Sequence, residues 1–311
     1  MDHDLYAFRA RTRPAQGRHP PARLTAFVVL VLEHWDADPP AGHRRDPRFV
    51  GEYGSFDPDF RNWTQREYGL RIGVFRILDA LTQVGLRPAV AINARLVERL
   101  PDLIDRLEAL GVEWIAHGLA ANQMMHAAMP LSEQRAHIEE ATHILARRMG
   151  RSPAGWLSQD WGTSPETWEL LAQAGYQYTL DWCNDDAPFP LQTSRPLMAV
   201  PLSPEWDDVQ CQWLRNLEPR AHAALTERAL VRLLDECRNG HGPACFGLAL
   251  HPWVSGMSSR IGALRSLLSR IAALSDVNWQ MPGEIVADWP ARGASDPAGA
   301  LLSGPASGVK A

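Results

Sequence analysis

The chain has 311 residues, with 31 Lys and Arg against 36 Asp and Glu, a formal net charge of -5, 45% hydrophobic and 22% charged residues. That length can bury a large core and fits one large α/β domain or two modest ones. The acidic balance, without any Lys/Arg stripe, argues against a nucleic-acid partner, and the lack of an apolar run of transmembrane length argues against a membrane-spanning one.

Cys183, Cys211, Cys237 and Cys245 form no CxxC pair, so neither a zinc knuckle nor a disulfide scaffold is expected. The start, MDHDLYAFRARTRPAQGRHPP, has no apolar core of a signal peptide; the expectation is a cytoplasmic protein with reduced thiols. The 12 tryptophans favour an aromatic-lined pocket, with Trp168 and Trp279 as core alternatives.

Residues 1–22 are rich in Pro and charge and read as an extended N-terminal arm. FVVLVLEHWD, Phe27 to Asp36, reads as a buried strand ending in Glu33, His34 and Asp36. Such groups are tolerated where a strand leaves the core for a cavity or solvent, because an unpaired buried charge is costly. Residues 37–71, dense in Pro, Gly, Asp and aromatics, read as an insertion that forms a lid or pocket wall.

Ile72 to Val84 reads as a helix stopped by Gly85, Pro88 to Asn93 as a strand, and Val97 to Leu110 as an amphipathic helix closed by Gly111. VEWIAHG, Val112 to Gly118, is a strand ending in His117, and Leu131 to Met149 a long helix with Ser132 as candidate cap. Ser164 to Ala174, with Pro165 at the first helical position and Gly175 as the stop, is a short helix. YQYTLDW, Leu197 to Leu202 and Ala244 to Leu250 read as strands, the last running into His251. His222 to Arg238 and Arg260 to Leu274 read as helices, VNWQ and EIVADW close the fold, and residues 291–311, rich in Gly, Ala, Ser and Pro, read as a flexible tail.

Strands alternating with helices argue for βα units and a parallel sheet or barrel, in a single domain over residues 23–290. No strand is followed by the glycine fingerprint of a dinucleotide or P-loop site. Polar residues recur instead at strand ends: Glu33 and His34, Asn93, His117, Asp181 and His251. In a barrel these ends share the face where βα loops build an active site. His251, between an apolar strand and a proline, suits proton transfer near neutral pH. Asp181, Asp185 and Asp186 flank Trp182 and Asn184, one as a partner for an imidazole or substrate and another as a solvated turn carboxylate; His126, Asp207 and Asp208 are further candidates.

YGLRIGVFRILDAL at 68–81, EWIAHG at 113–118, the stretch 155–188 that opens GWLSQDWG, VPLSPEWDDV at 200–209 and LALHPWVSG at 248–256 carry a resemblance that runs from about residue 24 to 289. In their order and spacing the chain resembles the polysaccharide deacetylase (NodB-type, carbohydrate esterase 4) superfamily, and within it the allantoinase-like branch that opens cyclic amides. The resemblance implies a distorted seven-stranded (β/α) barrel. It also implies a divalent metal held by a first-strand aspartate and an HxxxH pair. Here the first strand ends LEHW, with Glu33 nearest the aspartate pair; His117 matches the first histidine, Ala121 stands where the second would be, and His251 matches the last-strand histidine.

The expected activity is hydrolysis of a non-peptide C–N bond in a cyclic amide, imide or ureide. Glu33 is the expected base, His117 positions the water, His251 protonates the leaving nitrogen, and Asp181 or Asp185 receives substrate N–H groups. Trp156, Trp161, Trp182 and Trp253 stack against a planar ring, and His34 and Asn93 complete the substrate-binding set. Two cofactor states stay open: none, or one divalent metal, zinc in that case, on Glu33, His34 and His117 with Asn122 or His126 nearby. The alternatives are a metal-dependent deacetylase of an N-acetylated sugar or small amide, and a non-catalytic small-ligand binding protein. Family likeness also implies a homo-oligomer, a dimer or tetramer, with a small-molecule substrate as the other partner.

Overall fold

A computed structural model describes residues 5–6, 23–41 and 58–293. Most of the expected arm, residues 42–57 of the expected insertion and the expected tail beyond residue 293 lie outside the described residues. The strands are β1 (Leu24–Leu32), β2 (Ala89–Ile92), β3 (Glu113–Ala116), β4 (Gly155–Trp156), β5 (Tyr178–Thr179), β6 (Phe189–Pro190), β7 (Met198–Ala199), β8 (Cys245–Leu250) and β9 (Val277–Trp279). The helices are α1 (Phe60–Tyr68), α2 (Val74–Gln83), α3 (Pro101–Ala109), α4 (Leu131–Met149), α5 (Thr167–Ala174), α6 (Pro219–Arg238), α7 (Ile261–Ala272) and α8 (Pro282–Gly293).

The strands form one curled sheet in the order β6-β7-β5-β4-β3-β2-β1-β8, with β9 also on β1. The seven strands from β7 to β8 pair parallel, and only β6 is antiparallel. The expected seven-stranded barrel is therefore the central path, with β6 and β9 added to it.

Every residue of β1 is buried, and alternate ones serve two cores. Leu24, Ala26, Val28, Leu30 and Leu32 pack outward against the helices, with Ile77 of α2, Ile104 of α3 and Leu234 of α6. Phe27, Val29 and Val31 face inward with Ala89, Ala91, Ile115, Leu157, Tyr178 and Ala249. Successive side chains of a strand point to opposite faces, and that parity decides below which strand-end residues reach the barrel mouth.

Several element boundaries differ from expectation for local reasons. The helix expected from Ile72 starts at Phe60, because Asp59 caps α1 by accepting from the Asn62 N–H at 3.1 Å. Part of the expected insertion is thus helical, and α1 runs through a π turn at Gly69–Gly73 into α2. The helix expected from Val97 begins at Pro101, after a short 3-10 turn at Ala94–Leu96. Ser132 is not a cap, since α4 starts at Leu131 after Pro130. The expected helix from Ser164 starts at Thr167, whose hydroxyl accepts from the Ser164 N–H at 2.9 Å in a preceding turn. The EIVADW segment is part of the helix α8.

Gly69 and Gly73 place the π turn directly on the loop after β8. A Cβ at Gly69 would lie 2.6 Å from the Trp253 nitrogen, and one at Gly73 would collide with the Pro252 carbonyl oxygen. The helix that begins with α1 is therefore locked against the segment carrying His251 and Trp253. Among the described residues, no helix is long and apolar enough to cross a membrane.

Candidate active site

The register aligns Leu32 with Ile92, Ile92 with Ala116, and Ala116 with Trp156, so the residues just beyond them sit side by side at the barrel mouth. Glu33 continues the inward parity of Val31, His117 that of Ile115, and His251 that of Ala249. All three line one cleft, open to solvent on one side, together with Ser158, Gln159, Asp160, Trp161, Asp207 and Val209.

Glu33 is buried, and both carboxylate oxygens are held. Gln159 Nε2 donates to Oε1 at 2.5 Å, Trp253 Nε1 donates to Oε2 at 2.5 Å, and Arg66 Nε lies 3.5 Å from Oε2. Burial by itself would raise this carboxyl, but Arg66, His251 and His117 outweigh it and hold it below the usual range.

His117 is buried, with Nδ1 2.7 Å from the Leu157 carbonyl oxygen. Since a carbonyl only accepts, Nδ1 carries the proton and Nε2 is left as an acceptor. Nε2 is buried with no hydrogen-bond partner among the described residues. Burial, only partly offset by Glu33, lowers this imidazole to about 4, so it is neutral at pH 7.

His251 has the opposite charge state. Its Nδ1 lies 2.6 Å from Asp208 Oδ1, and its main-chain N–H donates to Asp208 Oδ2 at 2.9 Å. Ser255 Oγ donates to the same Oδ2 at 2.5 Å. Burial works against the charged ring, but Asp208 and Asp207 overcome it and raise His251 to about 9. Nε2 is the ring nitrogen left for a ligand. Asp207 keeps Oδ2 buried and without a hydrogen-bond partner among the described residues, and burial raises its carboxyl to about 6.

Other expected site residues lie elsewhere. Asp181 and Trp156 share the outward parity of their strands: Trp156 belongs to the outer core, its Nε1 donating to Ser158 Oγ at 2.9 Å. Asp181 braces Ser158 by accepting from its N–H at 2.7 Å and its hydroxyl at 2.9 Å. His34 turns away from the cleft to bond Asp36 Oδ1 at 2.8 Å, in a network that also binds Arg95 and Asn122. Asn93 is a brace, accepting from the His34 N–H at 2.8 Å and donating to the His117 carbonyl oxygen. Asp185 accepts from the Ala187 N–H in its own turn, and Trp182 packs edge-on against Trp168. Of the expected aromatic set, Trp161 lines the cleft and Trp253 touches Glu33. Trp161 and Asp160 both have positive φ, 54° and 47°, a conformation that costs non-glycine residues on the order of 1 kcal/mol or more.

The residues do not fit the metal that the resemblance implies. A catalytic zinc takes three protein donors plus an open position. Of the expected ligands, His34 is directed to Asp36, Glu33 already accepts a hydrogen bond on each oxygen and has the Arg66 cation beside it, and only His117 presents a nitrogen with no partner among the described residues. Among the described residues, one set of three donor types lies within 4.8 Å, Asp207, Asp208 and His251. There Nδ1 of His251 is already bonded to Asp208, and the raised imidazole holds its proton.

The polysaccharide deacetylase family model matches residues 67–179, from the end of α1 to β5. Puue allantoinase, known from a crystal structure, is similar at 22% identity and a TM-score of 0.77, over 92% of this chain and 98% of that one. A "probable polysaccharide deacetylase" from Pseudomonas aeruginosa is similar at 22% identity and a TM-score of 0.76, over 91% of this chain and 98% of that one. A search of curated proteins finds no match. The chain thus matches the polysaccharide deacetylase family model over residues 67–179 and shares the NodB-type barrel fold of these structures.

Proposed function

We propose that this chain, which matches the polysaccharide deacetylase family model over residues 67–179, hydrolyses a non-peptide C–N bond and opens a small cyclic amide, imide or ureide. One observation carries the reading: Glu33 and His251 line the same cleft with their titrations pushed apart, a carboxylate held low and an imidazolium held high. Paired groups displaced in opposite directions are how a site holds a base and an acid ready at one pH.

In the reaction Glu33 accepts a proton from water; each carboxylate oxygen has a second lone pair beyond the bond it already receives. The water oxygen bonds to the carbonyl carbon, steered by the neutral His117 Nε2 accepting its other hydrogen. His251 Nε2–H faces the developing oxyanion and then gives its proton to the nitrogen as the C–N bond breaks. The proton on Glu33 passes through solvent to restore His251, so one water is consumed and no other reactant is needed. Trp161 offers a planar ring an aromatic wall in this cleft.

A second reading, deacetylation of an N-acetylated sugar or small amide, draws support from the family match over residues 67–179. A panel of cyclic ureides, cyclic imides and N-acetylated amines, followed for ring opening and for acetate release, separates the two. Ring opening that disappears in Glu33→Gln supports the first reading, and acetate release alone supports the second. Saturable binding without turnover makes the protein a binding module and overturns both.

A further inference from the structure

We propose that Arg66 is the positioning residue of the cleft, reaching from α1 to fix the charge and rotamer of Glu33; the inference rests on the reading of Glu33 as the base. Arg66 is 2% exposed, and burying an ion costs several kcal/mol unless the site compensates it closely. The compensation here is built along one face of α1. Asp59 Oδ2 accepts from Asn62 Nδ2 at 2.8 Å, and Asn62 Oδ1 accepts from Arg66 Nη1 at 2.9 Å. Helical neighbours three and four residues apart share a face, so this line delivers the guanidinium to the barrel mouth.

Two indole rings then confine it. The guanidinium carbon lies 4.7 Å from the Trp35 ring centroid and 4.0 Å from that of Trp253, within cation–π range. Trp253 is at the same time a hydrogen-bond donor to Glu33, at 2.5 Å. Cation, ring and carboxylate therefore form one unit, and loss of Arg66 releases both the charge partner of Glu33 and the packing of one of its donors. A surface ion pair needs none of this, because exposed partners are compensated by water. The opposing effect is burial, which raises Glu33; Arg66 is the largest influence working against it. Without Arg66 the burial that raises this carboxyl loses its largest opponent.

The test reads Glu33 directly. Protein labelled with [δ-13C]glutamate is titrated by NMR, the Glu33 carboxyl resonance being the one absent from Glu33→Gln. In Arg66→Met the Glu33 midpoint is expected to rise by about one unit or more, whereas Arg66→Lys, which keeps the cation, shifts it by less than half of that. An unchanged midpoint in Arg66→Met overturns the proposal. Should that variant not fold, Asn62→Leu, which removes the anchor of the guanidinium, is titrated with the same expected rise and the same overturning result. The readout needs no substrate, so it fails or succeeds separately from the substrate panel that judges the hydrolase reading.

Discussion

His251 and Asp208 meet twice, through Nδ1 at 2.6 Å and through the main-chain N–H at 2.9 Å, although 43 residues separate them. The double contact sets the ring's orientation as well as its charge, leaving Nε2 for the cleft. It brings together the loop before α6 and the end of β8, so the acid of the proposed reaction exists only once the barrel is folded.

Replacing Asp208 by Asn removes the charge that holds the His251 proton. In the native protein kcat/KM is expected to fall as pH rises through about 9; in Asp208→Asn that limb moves down toward the ordinary 6.5, with a loss of up to about 30-fold at pH 8. Stability follows the same linkage. Because the folded His251 binds its proton more tightly than the unfolded chain does, its contribution is fully present below pH 6.5 and disappears as pH rises through about 9. Melting curves of the native protein and the variant should therefore converge toward pH 10. A limb that stays near 9 in the variant would remove Asp208 from this role.

Glu33→Gln keeps the side-chain shape but removes the carboxylate 3.5 Å from Arg66 Nε. Turnover is expected to drop by about 10²-fold or more, and the melting temperature is expected to fall, because breaking a buried pair from one side costs about 3–5 kcal/mol. Circular dichroism and a thermal melt on the purified variant check both. Native turnover in the variant would take the base role away from Glu33.

Gly73→Ala sets two magnitudes against each other. Helix propensity favours Ala over Gly by about 1 kcal/mol. The added Cβ, however, would collide with the Pro252 carbonyl oxygen, and overpacking of this kind costs about 1–3 kcal/mol. The expected net result is a less stable protein whose Trp253 is displaced from Glu33, measured as a lower denaturation midpoint and reduced kcat. A variant more stable than native would mean that the helix and the loop yield to each other cheaply.

Exhaustive chelation is expected to leave turnover within about twofold, since of the three expected ligands His34 is bonded to Asp36 and Glu33 has the Arg66 cation beside it, which leaves His117 short of the three donors a catalytic zinc takes. Activity assayed before and after chelation, beside elemental analysis of the protein, checks this. A loss that added zinc restores would return the metal to the mechanism.

Much of the barrel was legible in the chain because its signals are local. The apolar run of β1 and the glycine after α5 each act within a few residues. Element ends were less legible. Residues 37–71 read as insertion from their Pro, Gly, Asp and aromatic content, whereas α1 within them rests on Asp59, Asn62 and Arg66, which bond one another in the folded chain. The short strands β4, β6 and β9 have two or three residues each, too few for a period to show.

By itself the sequence determined that apolar runs end at Glu33, His117 and His251 in a chain of alternating strands and helices, because a strand's apolar run and its polar end adjoin in the chain. Only the tertiary structure decided the rest. It turned His34 to Asp36, placed Asp181 and Trp156 on the outward side, and brought Arg66 and Gln159 to Glu33 and Asp208 to His251. The physical reason is that charge state and orientation in a buried cleft depend on partners across the fold. Gln159 lies 126 residues from the carboxylate it holds and Trp253 220, distances along the chain over which no local pattern extends.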